Sequence, residues 1–105
     1  MTDVSLTMLA HGLRSLQALS VSGCTNLSED GLKTASAKLH RLKFLDLSRC
    51  DCVTDSSLMY IAKHCRCLTH LDLSMCSEVI NYGVDELETN LSQLASLHLR
   101  YSGFF

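Results

Sequence analysis

Apolar residues recur along the chain with a period of 26 residues. Each of three stretches has a leucine first, apolar residues at the fourth and sixth positions and a cysteine at the ninth; they begin at Leu16, Leu42 and Leu68. Similarity at a fixed spacing is the sequence signature of a repeat architecture. The pattern predicts one repeat domain over residues 1–105, made of a partial unit (1–15), full units (16–41, 42–67 and 68–93) and a second partial unit (94–105).

Each unit changes its hydrophobic period halfway along. Leu45 and Leu47 alternate with a polar residue, which is typical of a short strand with one buried face. Leu58, Ile61 and Cys65 follow at spacings of three and four residues, which place them on one face of a helix. This change of period predicts helices near residues 3–13, 29–39, 55–65 and 81–91 and strands near residues 18–21, 44–47, 70–73 and 96–99.

Polar residues that can cap a helix precede each predicted helix. The candidate caps, in chain order, are Thr2 or Asp3, Ser28, Thr54 or Asp55, and Asn81. Elements this short cannot bury their apolar faces alone, so the units must stack. We expect an α/β fold with a parallel sheet on the concave side, helices on the convex side and a continuous apolar core between them. Four residues in one register are expected in that core: Leu13, Leu39, Cys65 and Leu91.

The stretch from Cys50 to Cys76 combines the leucine spacing with Val-Thr-Asp at residues 53–55 and with Cys65 before the next strand. It resembles the cysteine-containing class of leucine-rich repeats and is similar to F-box leucine-rich repeat proteins and their mitotic-exit-antagonist relatives. The resemblance implies a leucine-rich repeat solenoid, a right-handed horseshoe segment, that serves as a non-catalytic substrate-recognition scaffold of a cullin-type ubiquitin ligase. Nothing in the sequence resembles the F-box itself, so a ligase complex would be reached through segments outside this sequence.

Residues between the inward-facing leucines of a strand point to its other face, here the concave one. We expect this face to bind a protein or peptide through Phe44, Asp46, Arg49, His70, Asp72, Met75, His98 and Arg100. Phe44 and His70 would be neighbours about 5 Å apart on adjacent strands. An exposed aromatic is often a partner anchor, but isolated exposed aromatics are also common. Asp46 beside Asp72 is a like-charge pair that suits a basic ligand, or two solvated carboxylates.

Six cysteines in a short chain can indicate a disulfide framework. Cys24, Cys50 and Cys76, however, follow the three strands at equivalent positions. A small, apolar side chain suits the inward bend at such a position. The repeat therefore predicts a structural ladder of buried thiols.

Two Cys-x-Cys pairs, at residues 50–52 and 65–67, raise the alternative of a metal or redox site. Tetrahedral zinc needs four ligands, each thiolate within about 2.3 Å of the ion. The pairs lie at opposite ends of a predicted helix that is roughly 15 Å long, so they cannot converge on one ion. We expect no metal and no cofactor, although an exposed Cys52 or Cys67 could be oxidised or modified.

Catalysis is the next alternative, because cysteines and histidines can form a nucleophile–base pair. His11, His40 and His64 fall near predicted helix C-termini, where the helix dipole favours a cation. The sequence has no Gly-rich phosphate loop, His-Glu-x-x-His or Gly-x-Ser-x-Gly motif. We therefore expect no enzymatic activity.

Charge and composition narrow the class of partner. The chain has nine Lys and Arg and eleven Asp and Glu, for a net charge of −2. This charge balance does not favour binding to nucleic acid or to an anionic membrane. The longest apolar run, residues 58–62, is far shorter than the roughly 20 residues of a membrane span. The chain also starts without the basic residues of a secretory signal. We expect a reducing intracellular location, cytoplasmic or nuclear, in which thiols stay free.

The ends of the sequence lack polar capping units. It opens with a helix that has no preceding strand and closes with a strand that has no following helix. This pattern predicts a fragment or short isoform of a longer protein, or a chain whose ends another chain covers. The alternatives to a ligase scaffold are a structural subunit of a larger assembly with no ubiquitin role and a cysteine-based metal or redox protein.

Overall fold

Helices and strands alternate along the chain. The computed structural model describes residues 1–76, Asp85, Leu87, residues 89–91 and the backbone of residues 96–98. In chain order the elements are α1 (Asp3–Gly12), β1 (Ala18–Ser20), α2 (Glu29–Ser36), β2 (Phe44–Asp46), α3 (Asp55–His64), β3 (His70–Asp72) and β4 (Ser96–His98). The described residues at 85, 87, 89 and 90 are helical, as expected within the predicted helix 81–91. The predicted cap Asn81 lies outside the described residues.

The four strands form one parallel sheet in the order β1-β2-β3-β4. Adjacent strands pair residues 26 positions apart, so that Leu19 lies beside Leu45, Leu45 beside Leu71 and Leu71 beside Leu97. The strand positions and their alignment predicted from the repeat are therefore confirmed. Strands β1, β2 and β3 have three residues rather than the expected four, and a turn begins two residues after each; the residue between still bonds to the next strand where that bond is described (Val21 N to the Asp46 carbonyl, 2.9 Å).

Hydroxyl side chains begin all three fully described helices. Thr2, Ser28 and Thr54 have extended backbone angles, and each side-chain oxygen accepts a hydrogen bond from an N–H three residues on. Such a bond satisfies one of the otherwise unpaired donors of the first turn. Of the alternatives that the sequence left open, Asp3 and Asp55 are therefore the first helical residues and not the caps. Their carboxylates instead lie at the positive end of a helix dipole.

The apolar core lies between the sheet and the helices. From the strands it takes residues such as Leu45 and Leu47, and from the helices residues such as Leu58 and Ile61, all fully buried. The apolar side chains that alternate along the strands pack against those spaced three and four residues apart along the helices. The result is an α/β repeat fold. Helix α2 ends at Ser36, three residues before the predicted end, because Lys38 N bonds to the Ala35 carbonyl in a tighter turn.

The prediction of a buried residue was wrong for Leu13, which is 53% exposed. Its equivalents Leu39, Cys65 and Leu91 are all buried. Cys65 is buried because it packs against the preceding unit: its thiol donates a hydrogen bond to the Ser36 carbonyl at 3.7 Å. In the later units, a residue at this position is therefore covered by the unit before it.

Candidate functional site

Among the described residues, one face of the sheet carries no helices. We call it the open sheet face; it consists of the strand residues Ala18, Ser20, Phe44, Asp46, His70 and Asp72 and the turn residues Ser22, Gly23, Ser48, Arg49, Ser74 and Met75. Along β2 and β3 the middle leucine is buried, the first residue is exposed and the last is half-buried. This alternation turns every other side chain away from the core. Six of the eight residues predicted to face a partner therefore lie together on one surface.

Phe44 and His70 are neighbours on adjacent strands of this face. The Phe44 ring is 45% exposed, and Ala18 on its other side is too small to cover it. Burying such a ring against a partner removes apolar area from water at about 25 cal/mol per Å². The pair is therefore the part of the face best suited to serve as an anchor.

The His70 ring is oriented by its neighbour Thr69. The Thr69 hydroxyl oxygen lies 3.0 Å from the Lys43 carbonyl oxygen and 2.9 Å from His70 Nδ1, so it links the ring to the neighbouring strand. The sequence gives no sign of this bond, because it depends on Thr69 and Lys43 being brought together across two strands.

The two aspartates of the open sheet face are engaged within the chain. Asp46 accepts hydrogen bonds from the Ser48 N–H (3.0 Å), the Ser48 hydroxyl (2.7 Å) and the Ser20 hydroxyl (3.2 Å). Asp72 accepts one from the Ser74 N–H at 2.9 Å. Partial burial acts to raise the pKa of Asp46, but the bonds from Ser48 and Ser20 outweigh it and lower the pKa. Both carboxylates stabilise the turn after their strand, and a role in partner binding remains a prediction.

The turns after β1, β2 and β3 each have a left-handed residue. Gly23, Arg49 and Met75 occupy equivalent positions with φ of 71°, 61° and 62°. A side chain in this conformation costs on the order of 1 kcal/mol. The turns are nevertheless tied to their neighbours, because Gly23 N donates to the Ser48 carbonyl and Arg49 N to the Ser74 carbonyl. Sequence reasoning placed these residues beside the face but missed their backbone conformation, for which Gly23 was the available signal.

The C-terminal members of the predicted surface are less completely described. Strand β4 places His98 beside Asp72 in the register, as the repeat predicts. The side chain of His98 and all of Arg100 lie outside the described residues.

Two of the three ladder cysteines are tied to the preceding unit. Cys50 Sγ donates to the Val21 carbonyl and Cys76 Sγ to the Leu47 carbonyl, each at 3.0 Å, and both side chains are fully buried. Burial raises the pKa of Cys50, and it raises the pKa of Cys76 to about 11. Cys24 differs from the expected ladder, since it is only half-buried.

The remaining cysteines divide between core and surface. Cys65 is buried, and desolvation raises its pKa to about 12. Cys52, expected to be exposed, is half-buried against the core, and desolvation raises its pKa to about 11, so it is a poor nucleophile. Cys67 is exposed. Among the described residues no three His, Cys, Asp or Glu side chains are grouped to hold a metal ion.

Comparison with known proteins supports a leucine-rich repeat family. The family model described as "Leucine Rich repeat" matches residues 38–62 and 64–77. A chain of the crystal structure of the Rad7 and Elc1 complex in yeast superposes with a TM-score of 0.58 at 23% identity, covering 94% of this chain and 36% of that chain. At this identity the likeness concerns the fold alone. The present chain spans little more than a third of that neighbour.

The curated proteins contain no match to the chain. Over the part that the structure describes, the helices are all too short or too polar to cross a membrane.

Proposed function

We propose that the chain is a non-catalytic protein-interaction scaffold, a segment of a right-handed leucine-rich repeat horseshoe whose concave surface is the open sheet face. The observation that carries the proposal is the exposed Phe44 beside the oriented His70, on a sheet face that no helix covers. Aromatic side chains that bury their area at the centre of an interface supply much of its binding energy.

The rigid backbone of the face supports the same function. Parallel strands held in register, with turns tied by Asp46 and Asp72, present their side chains at fixed spacing. A preorganised surface loses little conformational entropy when it binds, which favours affinity. The partner proposed here is a protein or peptide whose apolar side chain covers Phe44 and whose polar group reaches the exposed His70 ring.

At a finer level, we propose that the scaffold recognises substrates for an F-box type ubiquitin ligase. The resemblance of residues 50–76 to F-box leucine-rich repeat proteins supports this assignment. We also propose a reducing intracellular location, because Cys50 and Cys76 function here as buried thiols that donate hydrogen bonds.

The test compares the wild-type chain with the double variant Phe44→Ala/His70→Ala. Partners are identified by affinity purification and mass spectrometry, and direct binding is then measured with the purified partner. We expect the double variant to lose the partner while its thermal melt is unchanged, since both side chains are exposed. Retained binding would contradict the proposal.

The same purification tests the finer assignment. Recovery of a ligase adaptor together with the wild-type chain would support it. Stable partners from one large assembly, without adaptor or ubiquitin enzymes, would point instead to a structural subunit.

A further inference from the structure

Cationic side chains are concentrated at the edge where the strands begin. We define the basic edge as the segments 11–17, 37–43 and 63–69, each of which runs from the end of a helix to the start of a strand. Residues 1–76 contain eight Lys and Arg and seven Asp and Glu, and the basic edge has six of the former and none of the latter. The six are Arg14, Lys38, Arg41, Lys43, Lys63 and Arg66, joined by the histidines His11, His40 and His64.

Stacking of the units brings the three segments side by side. Lys43 N donates to the Gln17 carbonyl at 2.8 Å, and Thr69 N donates to the Lys43 carbonyl at 2.9 Å. Farther from the sheet, His40 Nδ1 lies 3.4 Å from the His64 carbonyl. Because parallel strands lie about 4.8 Å apart, the three segments form one continuous edge of the sheet, and their cations are gathered along it.

Three of these cations are open to a partner. Arg14, Arg41 and Lys43 are exposed, and within the described part of the chain they form no ion pair with a carboxylate. Helix dipoles favour cations, but only within the last turn. Lys43 directly precedes β2, seven residues beyond the end of α2 at Ser36, so a helix dipole does not account for it. Like charges held together repel, and an anionic partner would relieve that repulsion.

We propose that the basic edge binds an acidic segment of the partner protein, through Asp and Glu side chains that lie over Arg41 and Lys43. This inference rests on the proposed function in that the partner is a protein, and it adds the chemistry of that partner. The edge adjoins the proposed anchor, because Lys43 precedes Phe44 and Thr69 precedes His70. One partner segment can therefore place an apolar side chain on the open sheet face and its acidic residues on the edge.

A protein fits the charge distribution better than a nucleic acid does. Domains that bind nucleic acid usually have a pI above about 9, whereas this chain has a pI of about 6.2 and a net charge of −2. Asp46 and Asp72 lie at the far ends of the strands that begin at the basic edge. A long polyanion crossing the sheet would meet these carboxylates, whereas a short acidic segment at the edge would not.

The experiment measures binding of a fluorescein-labelled oligoglutamate peptide to the full chain by fluorescence anisotropy. Lys43→Glu and Arg41→Glu are compared with Lys33→Glu, a charge reversal on α2 outside the basic edge that also removes the Lys33–Glu29 ion pair. We expect each edge variant to weaken binding about fivefold and the control by less than about twofold, as exposed ion pairs allow. Binding should also weaken as salt is raised from low to physiological ionic strength. Thermal melts check that every variant is folded.

Three results would overturn the inference: no binding of oligoglutamate, equal loss in Lys33→Glu and Lys43→Glu, or tighter binding of an oligothymidylate of matched length, which would indicate nucleic acid. The variant Phe44→Ala/His70→Ala separates this inference from the proposed function. We expect it to lose the protein partner yet retain oligoglutamate, because it keeps every cation of the basic edge.

Discussion

The cap of helix α3 offers a sharp test of how the units hold one another. The Thr54 oxygen accepts a bond from Ser57 N at 3.2 Å, and the Ser57 hydroxyl accepts one from Thr54 N at 2.9 Å. The Thr54 hydroxyl also donates to Glu29 Oε2 at 3.0 Å, and Glu29 is the first residue of α2 in the preceding unit. One side chain therefore starts its own helix and links two units.

Replacing Thr54 with alanine removes both functions. Loss of a threonine cap costs about 1 kcal/mol, and loss of a hydrogen bond between partly buried groups costs about 1 kcal/mol more. We expect Thr54→Ala to lower the free energy of unfolding by about 2 kcal/mol, or the melting temperature by roughly 8–16 °C for a domain of this size. Thr54→Ser keeps the hydroxyl and should lose far less.

Urea denaturation followed by circular dichroism measures these differences. Thr2→Ala is the matched control, since Thr2 forms the same reciprocal cap with Ser5 in α1 but lies in the first unit of the chain. A cycle of Thr54→Ala with Glu29→Gln isolates the link between units. The reasoning is refuted if Thr54→Ala costs no more than Thr2→Ala, or if the cycle shows no coupling between Thr54 and Glu29.

Further predictions concern the thiol ladder, a close contact and pH. In Cys50→Ser the hydroxyl can still donate to the preceding unit, so this variant should unfold at higher urea than Cys50→Ala. Gly31→Ala should destabilise the chain, because the added Cβ would collide with the Asp3 carboxylate; with Asp3→Ala already present, the same change should cost less in urea titration, because only the Cβ of residue 3, at 3.0 Å, remains close. The pKa values of Asp3 and Asp46 are lowered from 3.8 by hydrogen bonds from serines, so their contribution to stability is complete above that value and is lost as pH falls through the lowered pKa values. The pKa of Cys76 is raised from 9.0 to about 11, so stability should decline as pH rises from about 9 to about 11, as thermal melts across pH would show.

Local patterns were sufficient to predict the fold elements. Period-2 stretches around Leu45 and Leu71 became strands, and the spacing of Leu58 and Ile61 became a helix, because these apolar faces can be buried only in those conformations. The same 26-residue repeat correctly placed Phe44 beside His70. The position of these candidate site residues was therefore available from the sequence, whereas their binding role remains to be tested.

The sequence pattern did not predict how burial differs between equivalent residues of the units. Leu13 and Leu39 occupy the same place in the repeat, yet one is exposed and the other buried. The sequence pattern predicts that Cys52 is exposed, but Cys52 packs against the core. Burial at these positions depends on whether a neighbouring unit covers them, which a pattern within one unit does not encode.

The sequence by itself determined the repeat, the order of its elements and the alignment of its strands, since each follows from apolar spacing within a few residues. Only the tertiary structure decided which polar groups meet: Thr54 with Glu29, Cys50 with the Val21 carbonyl, and Lys43 with the loops on either side. These partners lie 25 to 29 residues apart in the chain. Their contacts are set by how one unit stacks on the next, and the apolar period leaves the polar side chains free to vary.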